Sequence, residues 1–351
     1  MLMVIFGAGA SYDSAPSYIP RSLYSKGSTV ENSRPPLADE LFENRPEFAD
    51  AIARFPACQP VIPYLRNPAA GTSVEQALEQ LQVQAEKYPP GLRQLTAIRY
   101  YLHFIIWECE TRWERIHKGV TNYATLLDQI ERRRRPLEHV CLVTFNYDRM
   151  LESAFRTVVG IKIGTLADYV DSMDYKIIKL HGSVNWGRPI DETPAKKELE
   201  QVFLEDEIPN AVIRLSPVLQ ISRDYRITYN CPMSKLEGNT VVYPALAIPL
   251  EKKLDFECPD YHLAVLRKCI LETTKLLVIG WRATDAPFLK LLSENLPQQK
   301  LVMVVAGGQK QADEVLERMG NAGIKGKEFR RTESGFTDFI LGHKADEFLR
   351  P

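Results

Sequence analysis

The strongest constraint on the fold is a short, continuous apolar run that recurs along the chain. The first run, Leu2–Phe6, is followed directly by a glycine. Runs of similar character occupy 139–143, 175–180, 275–279 and 300–305. Such runs are typical of strands buried on both faces of a parallel sheet. Helical stretches between several of them predict an α/β fold with a Rossmann-like parallel sheet, in which ligands bind at the carboxyl ends of the strands.

The pattern divides the chain into three predicted regions. Residues 1–36 and 136–351 are expected to form the Rossmann-like domain, with a short strand around 325–329 near its end. Residues 37–135 change to helix periodicity, which predicts a large helical insertion in the first crossover. Residues 187–259 are rich in proline, charge and β-branched side chains, and they predict a small irregular module within the Rossmann-like domain.

Charge and hydropathy exclude several classes of function. The 44 basic residues nearly cancel the 45 acidic ones, so no global basic field exists to hold nucleic acid. The four arginines at 132–135 are interpreted as a solvated face rather than a phosphate contact. No apolar run reaches the roughly 18 residues that span a bilayer. The expectation is a cytoplasmic protein that binds neither membrane nor, directly, nucleic acid.

The cysteines do not predict a metal site. They stand at positions 58, 109, 141, 231, 258 and 269, and no two are separated by only two residues. A structural zinc site normally needs closely spaced ligand pairs. We therefore expect reduced core cysteines and no metal cofactor.

A glycine-rich turn follows the first apolar run. Gly7, Ala8, Gly9 and Ser11 are candidates for holding a pyrophosphate, because glycines let backbone amides approach it and the next helix presents its positive end. The dinucleotide fingerprint would place a third glycine where this chain has Tyr12. A tight turn without a ligand is the alternative interpretation.

A carboxamide and a carboxylate follow the second apolar run. Asn146 and Asp148 stand two residues apart at the expected carboxyl end of that strand. An amide can bind a carboxamide ligand or hold a water, and a carboxylate can accept hydrogen bonds from ribose hydroxyls. Alternatively, Asp148 caps a helix that begins near Met150.

Two later strand ends carry further candidates. His181 is followed by Gly182 and Ser183, and its position at a strand's carboxyl end favours a general base over a structural histidine. Gly280 ends a further run, and Asp285 follows it. Asp285 is expected either to bind the adenosine side of a ligand or to cap the following helix.

The four elements resemble the sirtuin-like family in order and spacing. They are glycine-alanine-glycine-x-serine at 7–11, threonine-x-asparagine-x-aspartate at 144–148, histidine-glycine at 181–182, and the late glycine turn at 280. The resemblance covers about 1–14 and 137–305 with gaps, and it leaves the helical insertion largely unmatched.

Other features resemble the bacterial defence branch of that family rather than its deacylases. Residues 34–42 resemble the branch's proline-proline-leucine segment, and residues 242–253 resemble its proline-lysine segment. The four-cysteine zinc module of the deacylases is missing from the sequence. Tyr12, Asp13, Ser14 and Ala15 replace the family's usual stretch after the serine, and Asp13 is expected to take a polar role there.

The resemblance implies that NAD⁺ is the substrate. It places the pyrophosphate on Gly7, Ala8, Gly9 and Ser11, the adenosine nearer to Asp285, and the nicotinamide ribose between Asn146 and His181. It also implies hydrolysis of NAD⁺ to nicotinamide and ADP-ribose, in an antiphage effector that is held off until infection.

The same branch implies control by assembly. A homo-oligomer is expected, with a HerA-type ATPase or a short argonaute as partner. Two other functions stay open: a protein deacylase or ADP-ribosyltransferase, and a non-catalytic sensor of NAD⁺ or ADP-ribose.

Overall fold

A computed structural model describes residues 1–14, 27–85, 89–202, 204–228, 240–250, 255–298, 300–332 and 334–350. Two compact units are present. The first unit comprises Met1–Pro35, Arg112–His181 and Lys253–Pro351, and the second comprises Pro36–Thr111 and Gly182–Lys252. Ala15, Cys231 and residues 251–253 of the proline-lysine segment, all mentioned in the sequence analysis, lie outside the described residues.

Nine strands are present in the described part of the chain. In chain order they are β1 Leu2–Phe6, β2 Val140–Thr144, β3 Tyr175–Lys179, β4 Gly182–Pro189, β5 Arg226–Ile227, β6 Val242–Leu246, β7 Lys275–Ile279, β8 Leu301–Val305 and β9 Glu328–Thr332.

Sixteen α-helices accompany them among the described residues. They are α1 Ala8–Tyr12, α2 Thr29–Asn32, α3 Pro46–Arg54, α4 Ile62–Arg66, α5 Val74–Ala85, α6 Pro89–His117, α7 Asn122–Arg133, α8 Met150–Val158, α9 Asp168–Asp171, α10 Pro194–Glu200, α11 Ile208–Leu215, α12 Asp260–Leu271, α13 Ala286–Asn295, α14 Gln309–Asn321, α15 Gly335–Leu341 and α16 Lys344–Leu349. None of these helices is long and apolar enough to cross a membrane.

The first unit is built on a six-stranded sheet in the order β3-β2-β1-β7-β8-β9. Every neighbouring pair in it is parallel. Renumbered within the sheet, this is the order 3-2-1-4-5-6 of the Rossmann fold. All five residues of β1 and of β2 are buried, as expected for strands covered on both faces. The predicted α/β, Rossmann-like parallel sheet is therefore confirmed.

The predicted position of the last strand was wrong. It runs over Glu328–Thr332 and not over 325–329. It is the edge strand of the sheet, and its first four residues are exposed while only Thr332 is buried. An exposed edge strand carries no apolar run, so the sequence pattern does not mark its ends.

The second unit contains a three-stranded antiparallel sheet in the order β5-β4-β6. A register shift between Gly182 and Gly187 interrupts the pairing of β4 with β6. The segment predicted to be an irregular module thus contributes strands and also the helices α10 and α11. The strand β4 of this sheet begins at Gly182, the residue directly after His181.

A buried histidine of α12 leads to a prediction about acid stability. His262 Nε2 lies 2.9 Å from the Leu166 carbonyl oxygen, and burial lowers the pKa of His262 to about 4. The unfolded chain takes up this proton near pH ~6.5, whereas the folded protein resists it. Stability should fall as the pH drops from ~6.5 to about 4, by up to roughly 3 kcal/mol. Urea unfolding across this range measures the change.

His262→Gln should remove this pH dependence, because glutamine keeps a donor for the Leu166 carbonyl and does not titrate. The matched control is His343→Gln, since the side chain of His343 is 81% exposed. A pH profile for His262→Gln that matches the wild type would contradict this prediction.

Candidate functional site

The carboxyl ends of four strands align at one edge of the parallel sheet. Phe6 at the end of β1 pairs with Thr144 of β2 and with Ile279 of β7. Thr144 in turn pairs with Lys179 of β3. The chain leaves β1 toward β2 on one side and returns to β7 on the other, which makes the β1/β7 boundary the switch point of the sheet. In open α/β sheets, ligands bind in the crevice at this point.

Two glycine turns meet backbone to backbone at the switch point. The amide of Gly7 donates to the Ile279 carbonyl at 3.0 Å, and the amide of Gly9 donates to the Gly280 carbonyl at 3.1 Å. A Cβ on Gly7 would lie 2.5 Å from the Gly280 oxygen, and a Cβ on Gly280 would lie 2.4 Å from the Ala10 nitrogen. Close packing of the two turns is therefore a sufficient reason for glycine at all three positions.

This packing predicts a large stability loss for Gly280→Ala. Gly280 has φ +61° in addition to its close contacts, whereas Gly160 has φ +79° with nothing within 4 Å of an added Cβ. Gly160→Ala should cost about 1–2 kcal/mol for the backbone conformation alone. Gly280→Ala should cost about 1–3 kcal/mol more for overpacking. Denaturant unfolding of the pair measures the difference, and equal losses would show that the turns do not constrain each other.

The carboxamide of Asn146 lies beneath these turns with its nitrogen held at three points. Nδ2 donates to the Gly7 carbonyl at 2.9 Å, to Ser11 Oγ at 2.9 Å and to Tyr123 Oη at 3.0 Å, and because it carries two protons, one N–H is shared between two of these acceptors. Only 6% of the residue is exposed. Within the described part of the chain, no side chain or backbone group donates to its Oδ1. The amide thus has a defined orientation and keeps an oxygen acceptor for a ligand or a water.

Ser11 points into this network. Its side chain is buried, and Oγ lies 2.8 Å from Tyr123 Oη. The same hydroxyl accepts from Asn146 Nδ2 at 2.9 Å. The hydroxyl predicted to face a pyrophosphate is thus engaged with two side chains of the same unit.

Asp148 contacts the start of a helix, which is close to one of the two roles considered for it. Its Oδ1 accepts from the Met150 amide at 3.1 Å, at the start of α8. Burial raises the pKa of the Asp148 carboxyl, while the Lys179 ammonium and the Ser11 hydroxyl lower it. Asp148 therefore lies beside the network under the glycine turn, and its contact with ribose hydroxyls stays a prediction.

Lys179 lies beside this network as well, and the sequence assigned no role to it. It is fully buried at the end of β3, and its Nζ donates to Glu152 Oε1 at 2.9 Å and to the Asp148 carbonyl. Tyr169 Oη also donates to Glu152 Oε1, at 2.9 Å. A lysine within a buried run is the signal that could have revealed it, because such a charge requires a partner.

His181 and Asp285 form a pair at this edge of the sheet. The imidazole Nε2 lies 2.9 Å from Asp285 Oδ2, and 13% and 6% of the two side chains are exposed. Asp285 Oδ1 accepts from the Phe288 amide at 3.0 Å, so the residue also caps α13. Of the two roles expected for Asp285, the helix cap is observed. Its bond to the histidine was not predicted from the sequence.

An aromatic ring packs against the imidazole. The ring of Phe145 packs edge-on to His181 with 4.9 Å between centroids, and it stacks on Trp281 at 5.2 Å. Phe145 and Trp281 directly follow β2 and the glycine turn after β7, so the same strand ends that carry the polar groups also supply these rings. Burial beside apolar rings strengthens the electrostatic interaction of the pair.

The remaining candidates are not part of the hydrogen-bond network around Asn146 or of the His181–Asp285 pair. Asp13 Oδ2 accepts from the Thr337 amide at 2.9 Å, so its polar role is to hold the first turn of α15. Ala8 is exposed at the start of α1. Gly182 and Ser183 are buried in β4, and they belong to the second unit rather than to the unit that carries the other candidates.

The arginine run binds carboxylates of its own chain. Arg132 pairs with Asp128 at 2.7 Å, Arg133 with Asp346 at 3.1 Å, and Arg134 with Glu131 at 2.7 Å. This pairing agrees with the interpretation of the run as a solvated face. Across the described ranges, no group of three or more His, Cys, Asp or Glu side chains could hold a metal ion.

Taken together, the first unit defines a Rossmann-type α/β protein with an amide, an imidazole–carboxylate pair and a glycine turn at its switch-point edge. No family model matches the sequence, and no curated protein matches it. Solved structures that match include Sir2 proteins, the family that the motifs resemble.

Three of these structures illustrate the level of similarity. A Sir2 complex with the inhibitor EX-527, 2'-O-acetyl-ADP-ribose and a deacetylated p53 peptide is 11% identical, with a TM-score of 0.40 over 99% of this chain and 94% of that one. Sir2Tm bound to a propionylated peptide is 12% identical, with a TM-score of 0.39 and the same coverage. A Sir2 homologue mutant with 2'-O-acetyl ADP ribose is 13% identical, with a TM-score of 0.43 over 99% and 90%.

Proposed function

We propose that this chain is an intracellular NAD⁺ glycohydrolase that releases nicotinamide and ADP-ribose. One observation carries the proposal. An oriented carboxamide, Asn146, and a carboxylate-bound imidazole, His181, follow neighbouring strands at the switch-point edge of a sheet with the dinucleotide-binding order. No metal or further cofactor is part of the proposed reaction.

In the proposed reaction, the bond between the ribose C1' and the nicotinamide nitrogen breaks. The electron pair leaves with nicotinamide, which becomes neutral, and C1' is left as an oxocarbenium-like centre. A water bound to Asn146 Oδ1 attacks that centre, and His181 accepts a proton from the water. Asp285 stabilises the imidazolium that forms, because its carboxylate already lies 2.9 Å from Nε2.

The glycine turns give this site its shape. Because Gly7, Gly9 and Gly280 carry no side chains, the backbone of both turns packs closely and leaves the exposed start of α1 at the switch point. A helix start and its amides favour a negatively charged pyrophosphate. In the proposal, the backbone amide of Ala8 contacts the pyrophosphate, and Gly7 and Gly9 let the ligand approach the turn, since their own amides donate to the Ile279 and Gly280 carbonyls. Ser11 acts beneath the substrate by holding Asn146.

An enzyme that destroys NAD⁺ requires control, because unrestrained activity would starve its own cell. We therefore propose that the chain is an antiphage effector of the sirtuin-like defence branch, and that assembly activates it. The proposed form is a homo-oligomer whose activity responds to a separate partner, either a HerA-type ATPase or a short argonaute. A four-cysteine zinc module has no part in this proposal.

Product analysis tests the function. Purified protein is incubated with NAD⁺, with and without the product of its neighbouring gene, and nicotinamide, ADP-ribose and cyclic ADP-ribose are quantified. Equal amounts of nicotinamide and ADP-ribose are expected. Nicotinamide release only with an acylated or acceptor protein would indicate a deacylase or ADP-ribosyltransferase. NAD⁺ binding without any turnover, in both conditions, would indicate a sensor.

A further inference from the structure

Tyr123 reaches the candidate site from a helix that none of the sequence motifs includes. It lies in the first turn of α7, whose start is capped by Thr121, where Oγ1 accepts from the Ala124 amide at 3.1 Å. Only 1% of Tyr123 is exposed. Its ring packs 5.0 Å from the ring of Phe6 and 5.8 Å from that of Phe336. Packing on both sides holds the hydroxyl in one place, at the network beneath the glycine turn.

The direction of one hydrogen bond at this hydroxyl follows from the donors available. Tyr123 Oη accepts from Asn146 Nδ2, which can only donate, at 3.0 Å. Tyr123 Oη also shares a hydrogen bond of 2.8 Å with Ser11 Oγ, in which either oxygen can be the donor. Ser11 Oγ accepts from Asn146 Nδ2 as well, at 2.9 Å. A chain of hydrogen bonds thus runs from Asn146 through Tyr123 to Ser11.

This chain determines which way the carboxamide faces. If the amide of Asn146 were flipped, its oxygen would lie against the Gly7 carbonyl oxygen, which is an acceptor. The flip would also take away the Nδ2 donor from which Tyr123 Oη accepts a hydrogen bond. Burial raises the pKa of Tyr123 well above its usual value, so the hydroxyl keeps its proton and can donate and accept at once. Buried networks of this kind are cooperative and favour one arrangement.

We propose that Tyr123 is a positioning residue that orients the Asn146 carboxamide for the reaction. The inference rests on the proposed function for its catalytic consequence, and on the hydrogen bonds alone for the orientation. Tyr123 has no contact with the substrate in this proposal. It acts through Asn146 by holding Nδ2, so that Oδ1 presents an acceptor to the water.

The kinetic test compares Tyr123→Phe with the wild type. The variant keeps the ring and loses only the hydroxyl. We expect kcat for NAD⁺ cleavage to fall at least about tenfold with KM changed less than about twofold, since a small misplacement of a catalytic group can cost up to ~100-fold in rate. The matched control is Tyr175→Phe, which removes another buried hydroxyl, bonded to Glu131, at the opposite end of the strands. Its kcat per folded molecule should be unchanged.

A spectroscopic readout separates orientation from activity. Protein labelled with ¹⁵N-asparagine gives side-chain NH₂ signals, and that of Asn146 is assigned by its loss in Asn146→Asp. In Tyr123→Phe, we expect the Asn146 signal to shift and its protons to exchange faster with water, while the signal in Tyr175→Phe stays unchanged. An unchanged Asn146 signal in Tyr123→Phe overturns the proposal.

The outcomes also separate this inference from the proposed function. A shifted amide signal together with a lowered kcat supports both. A shifted signal with normal kcat overturns Tyr123 as a positioning residue for catalysis. If the wild type, with or without its partner, does not cleave NAD⁺, the proposed function fails, and the amide signal alone then decides whether Tyr123 orients Asn146.

Discussion

Asn146→Ala should reduce NAD⁺ cleavage per folded molecule to background, a loss of at least about 100-fold if the amide orders the attacking water in a preorganised site. The structure adds a cost in stability. The Gly7 carbonyl and the hydroxyls of Ser11 and Tyr123 each lose the Asn146 donor. Each of these groups keeps another partner, because the Gly7 carbonyl also accepts from the Ala10 amide and the two hydroxyls bond each other, so each lost bond should cost about 0.5–1.5 kcal/mol. Turnover is therefore measured per folded molecule, with the folded fraction determined by denaturant unfolding.

Asn122→Ala is the matched control for that loss of stability. Asn122 is equally buried, and its Nδ2 donates to the Asp13 carbonyl at 2.7 Å and to Thr337 Oγ1 at 2.9 Å. Its contacts join the start of α7 to Asp13, directly after α1, and to α15, and they do not involve the proposed reaction. We expect a similar stability loss with normal turnover. Undiminished turnover in Asn146→Ala would remove Asn146 from the mechanism.

The second large effect is expected at His181, the proposed base. In the wild type, NAD⁺ cleavage should rise with pH from the acid range to neutral, because only the neutral imidazole accepts a proton from water. His181→Ala and His181→Gln should lower kcat by about 100-fold or more and abolish that rise, since general-base catalysis typically contributes 10²–10⁴-fold. Steady-state rates across the pH range, together with NAD⁺ affinity for each variant, measure both effects.

His262→Gln controls for loss of a buried imidazole elsewhere in the same unit. Its expected effect is on acid stability, with normal turnover at neutral pH. If His181 were only structural, His181→Ala would lower the free energy of unfolding while the folded fraction kept a normal rate and pH profile. That result would favour a mechanism in which Asn146 and Asp148 organise the water without a histidine base.

The prediction of the sheet succeeded where strands are buried on both faces. The runs of β1 and β7 were located to the residue, because a strand covered on both sides is continuously apolar and ends where polar residues begin. The strand β9 was misplaced by three residues, because it lies exposed at the sheet edge and depends on its pairing with β8. A strand that is buried on both faces leaves a continuous apolar run in the sequence, whereas a strand at the sheet edge does not.

The same distinction applies to the candidate site. The sequence by itself determined that Asn146, His181 and the glycine turns follow strand ends, since each terminates an apolar run, and parallel strands bring those ends to one edge. Only the tertiary structure decided the partners. Ser11 is hydrogen-bonded to Tyr123, which lies 112 positions away in the sequence, and His181 is hydrogen-bonded to Asp285, which lies 104 positions away. Such contacts leave no local periodicity, because they arise when helices dock on the sheet and each buried polar group must find a partner.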